Sequence, residues 1–334
     1  MMANKDLVPP GLAYLADNIT AKQNVLGVSR AESARWAKGL DLPRRAATTF
    51  FAGCGYQYSN QLDCLMSLLR RLDKSPLGIE TPMGLANLQK KLGLDLGSVY
   101  LKIATGGRAG DGRTLIDMVA VLKKLGVEFG YLAEDEPCCG APLHFIGMET
   151  KFAQNAGQAQ KQLEANGIER VISAVPSCTY ALRVLIPQHT PSKIIVEHFV
   201  EAVAKRLEGH KLRYPEKVKV TYHDPCQLAR FLEIVEAPRR VIGSIENMEL
   251  VEPAASGQWA TCCGGGGGFE AVFPEFSQIL AANRARELVE TGAQIIITDC
   301  PGCVMQLEEG VKQLKVSNVK VMDLAEVLAV SLEA

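Results

Sequence analysis

The sequence lacks the features of a secreted, membrane-spanning or nucleic-acid-binding chain. Its formal net charge is −1, so no basic field favours a nucleic acid or an anionic membrane surface. No apolar run approaches the roughly 20 residues that span a bilayer. The first residues, MMANKDLVPPGLAYL, lack the basic start, apolar core and cleavage site of a signal peptide. We therefore expect a cytoplasmic protein without direct membrane insertion or a nucleic-acid partner, any membrane association coming through a partner protein.

Several cofactor and catalytic patterns are also missing from the sequence. There is no C-x2-C-x2-C-x3-C-P run of a bacterial ferredoxin. No G-x-G-x-x-G pattern completes after a predicted strand, and no flavin motif or Ser/His/Asp constellation stands out. The sequence therefore shows no electron source of its own, and we expect electrons to come from a partner.

The chain does have ten cysteines, and nine of them form two similar series. The first series is Cys54, Cys138, Cys139 and Cys178; the second is Cys226, Cys262, Cys263, Cys300 and Cys303. A disulfide scaffold is not expected in a protein that is not exported, because disulfides persist mainly in oxidising compartments outside the cytoplasm. Grouped thiolates favour iron–sulfur clusters, zinc or copper(I). Redox dithiols and buried structural thiols are the alternatives.

Short apolar runs alternate with amphipathic helical stretches, which is typical of a parallel α/β sheet. The pattern predicts helices at 30–38, 115–124 and 150–166, and strands at 48–53, 127–132, 171–175, 218–222 and 295–298. Cysteines follow four of these strands. Since sites in parallel sheets collect at the carboxyl ends of strands, the cysteines are expected to meet there.

The two halves also form an internal repeat. Glu201 lies 23 residues after Cys178, and Glu326 lies 23 residues after Cys303. The repeat predicts an N-terminal helical arm (1–47), a first domain (48–212) and a second domain (213–334) around a pseudo-twofold axis. The first domain carries an insertion at about 66–113, interpreted as a lid or a docking element. Ser29 is the expected helix N-cap in the arm and Trp36 its packing anchor.

Three motifs of the second half resemble the cysteine-rich CCG domain: His223-Asp-Pro-Cys226, Cys262-Cys263-Gly264 and Cys300-Pro-Gly-Cys303. This domain occurs twice in the B-type chain of heterodisulfide reductase and in D-type relatives. The resemblance covers most of residues 46–334 and implies two Rossmann-like CCG domains. It further implies an iron–sulfur subunit of a multi-subunit oxidoreductase that acts on a disulfide or another small-molecule substrate. A non-catalytic electron-transfer or docking subunit of a dehydrogenase or quinone-linked complex is the alternative. The implied partners are a ferredoxin-like iron–sulfur subunit, a flavoprotein subunit, or both.

For the second series the resemblance implies a non-cubane [4Fe–4S] cluster held by Cys226, Cys262, Cys263, Cys300 and Cys303. A cubane needs only four thiolates, so a fifth is consistent with a larger, opened cluster. Gly264 and Gly265 open a run of five glycines that would bring bare backbone close to the cluster. A flexible loop and a phosphate site are the alternatives for this run.

The first series departs from the family pattern, because Val175 stands where a fifth cysteine is expected. Four thiolates suit a second [4Fe–4S] cluster or a tetrahedral zinc. Cys64 is either a recruited fifth ligand or a core thiol.

Four polar residues near the cysteines are further candidates. His223 is the candidate catalytic residue, as a proton donor to a leaving thiolate or a hydrogen-bond donor to a cluster sulfur. His144 is the similar candidate at the first series, and a structural role is the alternative for both. Asp224 is expected to be a turn or cap residue and Arg230 a charge near the cluster.

Overall fold

The computed structural model describes residues 8–73 and 112–333. Its strands, in chain order, are β1 Thr48–Phe51, β2 Arg170–Ser173, β3 Ile195–His198, β4 Leu212–Tyr222, β5 Ile245–Leu250, β6 Ile295–Thr298 and β7 Lys320–Asp323. The helices of the first half are α1 Pro10–Lys22, α2 Arg30–Ser33, α3 Gly53–Gln57, α4 Ser59–Asp73, α5 Arg113–Lys124, α6 Ala141–Phe145, α7 Glu149–Ala165, α8 Pro176–Tyr180, α9 Ile186–His189 and α10 Phe199–Ala204. Those of the second half are α11 Cys226–Ala229, α12 Glu236–Gly243, α13 Phe269–Val272, α14 Pro274–Val289, α15 Pro301–Gln313 and α16 Leu324–Glu333.

The strands build two parallel sheets, one in each half of the chain. The first sheet has the order β1-β2-β3 and the second the order β5-β4-β6-β7. Every strand pair is parallel. The β-branched run of β6 is buried along its whole length, as expected of a strand covered by helices on both faces. The α/β prediction is therefore confirmed.

The predicted strand at 127–132 is wrong. Within this segment only Gly130 pairs with the sheet, exchanging two backbone hydrogen bonds with the first strand at 2.8 and 2.9 Å. The Tyr131 N–H, which points to the opposite edge of the segment, donates to the carbonyl of Pro43 at 2.9 Å. The pairing with the first strand ends at Gly130 because Leu132 already has helical dihedrals and the 3₁₀ turn Ala133–Asp135 follows.

The helices show the pseudo-twofold relation that the repeat predicts. Helix α16, which follows the last strand of the second half, packs on α5 of the first half. In the same way α10, which follows the last strand of the first half, packs on α12 of the second. One buried cluster accordingly contains Leu122 and Val203 together with Val241 and Leu324. The two halves thus share a hydrophobic core, while the exact domain boundaries remain a prediction.

The arm is anchored as the sequence indicates. The Ser29 hydroxyl accepts the N–H of Glu32 at 3.3 Å, which confirms the N-cap. The α-helix ends at Ser33 instead of continuing to 38, and a 3₁₀ turn at Arg35–Ala37 follows. This turn brings Trp36 into the core, where its indole N–H donates to the Tyr131 hydroxyl at 3.0 Å.

The greater part of the predicted insertion, residues 74–111, lies outside the described residues. Within 8–73 and 112–333, no helix is long and apolar enough to cross a membrane.

Candidate metal centres

All nine cysteines of the two series lie at the carboxyl edges of the sheets. Cys54 and Cys178 lie in α3 and α8, the short helices that follow β1 and β2. Cys226 begins α11 after β4, while Cys300 is the N-cap of α15 after β6 and Cys303 lies in that helix's first turn. The adjacent pairs 138–139 and 262–263 lie in loops, as predicted. The turns between strands and helices therefore place these thiols at the carboxyl ends of the strands, as the sequence pattern indicates.

The four thiols of the first set lie close together. The Cys139 and Cys178 sulfurs are 3.1 Å apart, and Cys54, Cys138 and Cys139 are near enough to shift one another's pKa. The pKa of Cys54 is raised well above the ordinary thiol value, first by the bond to Cys138 and then by burial. Four neighbouring thiols can hold a cubane cluster. A tetrahedral ion would need them closer together, since no three sulfurs of this set, which lies within the described residues, are within 4.8 Å of one another.

The second thiol set contains all five cysteines of its series. Neighbouring thiols of this set shift one another's pKa, in the order Cys226, Cys262, Cys263, Cys303 and Cys300. The Cys263 and Cys303 sulfurs lie 3.3 Å apart. The pKa of Cys262 is lowered to about 2 because Cys226 and Cys263 donate to its sulfur, and the Gly264 N–H adds to this. The fold thus brings together the complete predicted ligand set.

The glycine after each cysteine pair has the same local role in both halves. Gly140 donates its N–H to the sulfur of Cys138, and Gly264 donates to that of Cys262 at 3.4 Å. Both glycines have positive φ, +74° and +82°, which other residues rarely adopt. A Cβ on Gly264 would also stand 2.6 Å from the carbonyl oxygen of Ser277. The glycine of the C-C-G sequence therefore allows the backbone to direct an N–H group at the sulfur of the first cysteine of the pair.

Further backbone donors reach the outer thiols of both sets. The N–H of Val25, in the arm, donates to Cys54. The N–H groups of Gly302 and Cys303, in the first turn of α15, donate to Cys300 and lower its pKa, after the larger effect of the Cys303 thiol. Such donors favour thiolates, the form of cysteine that binds an iron–sulfur cluster or a metal ion.

His223 lies beside the second set and is fully buried. One of its ring nitrogens is within 4.8 Å of the sulfurs of both Cys263 and Cys303. Burial, followed by the charge of Arg284, lowers its pKa to about 3. The ring is therefore neutral near pH 7, which favours the predicted hydrogen-bonding role over that of a charged proton donor.

A single cavity of about 1480 Å³ adjoins both thiol sets. It is lined by the thiols of both halves except Cys262 and Cys64, and by Leu12 from the arm and Gly265 from the glycine run. Gly264 itself is not in the lining. The predicted opening of the backbone beside the second set is thus formed by the glycines from 265 onward.

Val175 occupies the place that a fifth ligand of the first set would take. It is buried, and it follows β2 as Cys300 follows β6. A Cβ placed on Gly53 would lie 2.9 Å from both the Val175 Cγ2 and the Cys178 Sγ. A methyl group therefore stands next to the last thiol of this set. Cys64 is half-buried on α4 and makes no hydrogen bond to another thiol in the described part of the chain.

The remaining candidates have structural partners. Asp224 accepts both Arg239 Nη groups at 2.8 and 2.9 Å, and the N–H of Gly257 at 2.8 Å. Arg230 donates to the carbonyls of Gln258, at 2.9 Å, and Ala260, so it ties down the loop before Cys262. His144 lines the cavity and its Nδ1 lies 2.9 Å from a carboxylate oxygen of Glu149.

Three residues near the first set escaped the sequence reasoning. Glu136 accepts the N–H groups of Ala52 and Gly53 at 2.8 and 2.9 Å, and burial raises its pKa to about 8. Gln23 accepts the N–H of Cys138 at 3.4 Å, while Asn155 donates to the Cys138 carbonyl at 2.9 Å. Gln23 belongs to the arm, so the arm helps to hold the first set. Glu136 could have been suspected from its position two residues before the pair; the others carry no local signal.

The cysteine-rich domain called CCG matches residues 107–183 and 220–308, one segment in each half. The chain belongs to this CCG domain family. The two matched segments contain eight of the nine thiols just described; Cys54 precedes the first.

Curated relatives of this CCG protein are redox enzymes or components of redox complexes. The D-type chain of the dihydromethanophenazine:CoB–CoM heterodisulfide reductase of Methanosarcina barkeri is 31% identical over 224 residues, which is 64% of this chain and 53% of the relative. The EtfAB:quinone oxidoreductase of Syntrophomonas wolfei is 32% identical, and the match covers 65% of this chain and 31% of that relative. The B-type chain of the fumarate reductase (CoM/CoB) of Methanothermobacter marburgensis is 28% identical, and the match covers 63% of this chain and 42% of that relative. The chain matches about half the length of the first of these relatives.

Proposed function

We propose that this chain is the iron–sulfur subunit of a multi-subunit oxidoreductase, in which the second thiol set is the place of substrate reduction. The second set holds a non-cubane [4Fe–4S] cluster, which supplies one-electron chemistry when it is bound. The substrate is a disulfide or a related small sulfur compound. The observation that carries this proposal is the group of five thiols of the second set, four of which line a cavity large enough for a small molecule.

The residues around the second set are suited to hold such a centre and admit a substrate. Cys263 and Cys303 are buried, whereas Cys226, Cys262 and Cys300 are half-buried. The inner thiols are thereby kept from water, while one side of the set stays accessible. Gly265 and the glycines after it present backbone without side chains to the cavity, which leaves room for a substrate beside the thiols. Backbone N–H groups hold the thiolates in place.

The first thiol set has a different role in this proposal. Its four ligands hold a cubane [4Fe–4S] cluster or a zinc ion, and they lie on the same cavity. A ferredoxin-like or flavoprotein subunit supplies the electrons. The chain itself contributes the arrangement that lets two centres face one substrate.

One observation favours a second candidate, a relay or docking subunit without catalysis. Val175 removes the fifth ligand from the first set, so the two halves are not equivalent. A mechanism that needs two like centres, each capturing one sulfur of a cleaved disulfide, is not available to this chain. In the relay alternative both sets only pass electrons to another protein of the complex.

The test begins with anaerobic isolation of the chain together with any co-purifying proteins. Iron, zinc and labile sulfide are measured, and the centre is then reduced and mixed with disulfides of different size. Iron bound to the second set and its reoxidation by a disulfide support the proposal. Iron without reoxidation by any disulfide supports the relay, and zinc alone in both sets overturns both.

A further inference from the structure

The two thiol sets differ in the residue that precedes them. Phe51 ends β1 three residues before Cys54, and His223 follows β4 three residues before Cys226. Both side chains are buried, at 1% relative exposure each. The repeat therefore places a hydrocarbon ring at one set and an imidazole at the other.

The protonation of the imidazole follows from its neighbour Arg284. The Nε of Arg284 donates to Nδ1 of His223 at 3.1 Å. A guanidinium can only donate, so Nδ1 is the acceptor and the proton of the neutral ring is on Nε2. Within the described residues, Nε2 has no hydrogen-bond partner, although it is buried. A buried N–H group without a partner is costly, so a partner is expected at this place.

The second thiol set is the candidate for that partner. A His223 ring nitrogen lies within 4.8 Å of the Cys263 and Cys303 sulfurs, and Nδ1 is already engaged. Arg284 is itself fully buried and is held by the Ala255 carbonyl at 3.0 Å and by the Glu287 carboxylate at 2.6 Å. The guanidinium thus fixes both the orientation and the tautomer of the histidine.

We propose that Arg284 is a positioning residue that aims the Nε2–H of His223 at the sulfurs of the second set, and that this pair raises the reduction potential of the iron–sulfur centre held there. The inference rests on the proposed function only in assuming that such a centre binds to these five thiols. An N–H donor at a sulfur stabilises the extra negative charge of the reduced form, and a nearby buried cation acts in the same direction. The first set has neither of these groups at the equivalent position, where Phe51 stands.

The experiment compares the midpoint potential of the second centre in four variants, by EPR-monitored redox titration at one fixed pH. His223→Phe gives the second set the residue that the first set has, and His223→Gln keeps an N–H donor. Arg284→Met removes the positioning group. Arg286→Met, at an exposed position on the same helix, is the matched control. Iron and labile sulfide per chain are measured in every sample.

We expect His223→Phe to shift the midpoint to lower potential, with iron content unchanged. His223→Gln should stay closer to the wild type, Arg284→Met should fall between the wild type and His223→Phe, and Arg286→Met should not shift. A hyperfine coupling from an exchangeable proton, seen by ENDOR in the wild type, should disappear in His223→Phe.

An unchanged or raised midpoint in His223→Phe, with iron retained, overturns the inference and leaves the proposed function standing. Wild-type protein that binds no iron at the second set overturns the proposed function itself. If Arg284→Met does not fold, the two His223 variants and the proton coupling still decide the role of the N–H donor. If His223→Phe shifts but a folded Arg284→Met does not, the positioning role of Arg284 is wrong.

Discussion

The side chains of Val175 and Cys178 both lie 2.9 Å from the point where a Cβ on Gly53 would stand. Gly53 adopts a φ of +67°, so the backbone before Cys54 takes a conformation that suits glycine and leaves space for the valine. The methyl group and the thiol are thereby neighbours on one wall of the first set. A thiol in the place of that methyl group would face the same space.

Val175→Cys should therefore add a fifth ligand to the first set. Cysteine is no larger than valine, so the buried position can accept it without displacing Gly53 or Gly55, on both of which an added Cβ would meet the valine. We expect a changed EPR spectrum, and a rise in iron per chain if the wild-type site holds zinc. Val175→Ala, which shortens the side chain without adding a thiol, is the control. Identical metal content and spectra in the two variants would show that the fifth thiol is not used.

The second prediction concerns the inner thiol of the second pair. Cys263→Ala removes a buried ligand that contacts both Cys262 and Cys303, and the described structure offers no other thiol nearby to replace it. We expect the loss or conversion of the second centre, with a loss of up to about four iron atoms per chain. Cys64→Ala is the matched control and should keep wild-type iron, since this thiol lies outside both sets. Wild-type iron and an unchanged EPR spectrum in Cys263→Ala would show that the ligand assignment is wrong.

A third prediction concerns stability. The Asp224 side chain is fully buried and forms a two-pronged ion pair with Arg239, whose side chain is 17% exposed. Asp224→Ala leaves the guanidinium without this partner and should lower the free energy of unfolding by about 3–5 kcal/mol. Glu246→Ala breaks an exposed pair with Arg213 and should cost at most about 1 kcal/mol. Anaerobic urea unfolding of both variants measures the difference. Equal losses would mean that the Asp224 pair does not stabilise the loop before the second set.

The sequence was sufficient for the parallel sheets, the repeat and the grouping of the cysteines into two sets, because those depend on local patterns. Buried runs of β-branched residues predict strands such as β6. The positions of the cysteines after such strands predict which thiols meet at the edge of the sheet. The 127–132 segment has the same strand-like pattern, but its pairing with the first strand is limited to Gly130, because the chain turns at Leu132 into the 3₁₀ turn Ala133–Asp135. The pattern of apolar residues does not show where such a pairing ends.

The residues that support the thiols could not be predicted either, because they are distant from the cysteines in sequence. Arg284 lies 61 positions from His223, on a long helix whose apolar residues are not gathered on one face. Gln23 lies 115 positions from Cys138, to which it hydrogen-bonds. A long helix with mixed polar and apolar residues offers many arginines and glutamines, and only the packing of the helices selects one of them. The N-terminal arm lies outside the repeated domains in the sequence, but in the fold it contributes to the first thiol set.

His198 provides a test of pH dependence away from the thiols. It ends β3, its Nε2 lies 3.1 Å from the Ala174 carbonyl oxygen, and its Nδ1 accepts the N–H of Val200 at 3.3 Å. Burial lowers its pKa to about 3, with the nearby Arg183 acting in the same direction. Glu201 is also close, since it accepts the His198 backbone N–H and pairs with Arg183.

A lowered histidine pKa makes the folded state sensitive to acid. The unfolded chain binds this proton once the pH falls below about 6.5, whereas the folded chain binds it only near pH 3. The stability from the neutral ring is thus fully present above pH 6.5 and falls by up to about 1.4 kcal/mol per pH unit below it. His198→Asn keeps an N-cap acceptor but does not titrate, so it should be less stable than the wild type at pH 7.5. At pH 5 the deficit should be smaller by roughly 2 kcal/mol. Thermal unfolding at both pH values measures this, with the exposed His210→Asn as control; a deficit that is the same at both would mean that His198 does not titrate differently in the folded protein.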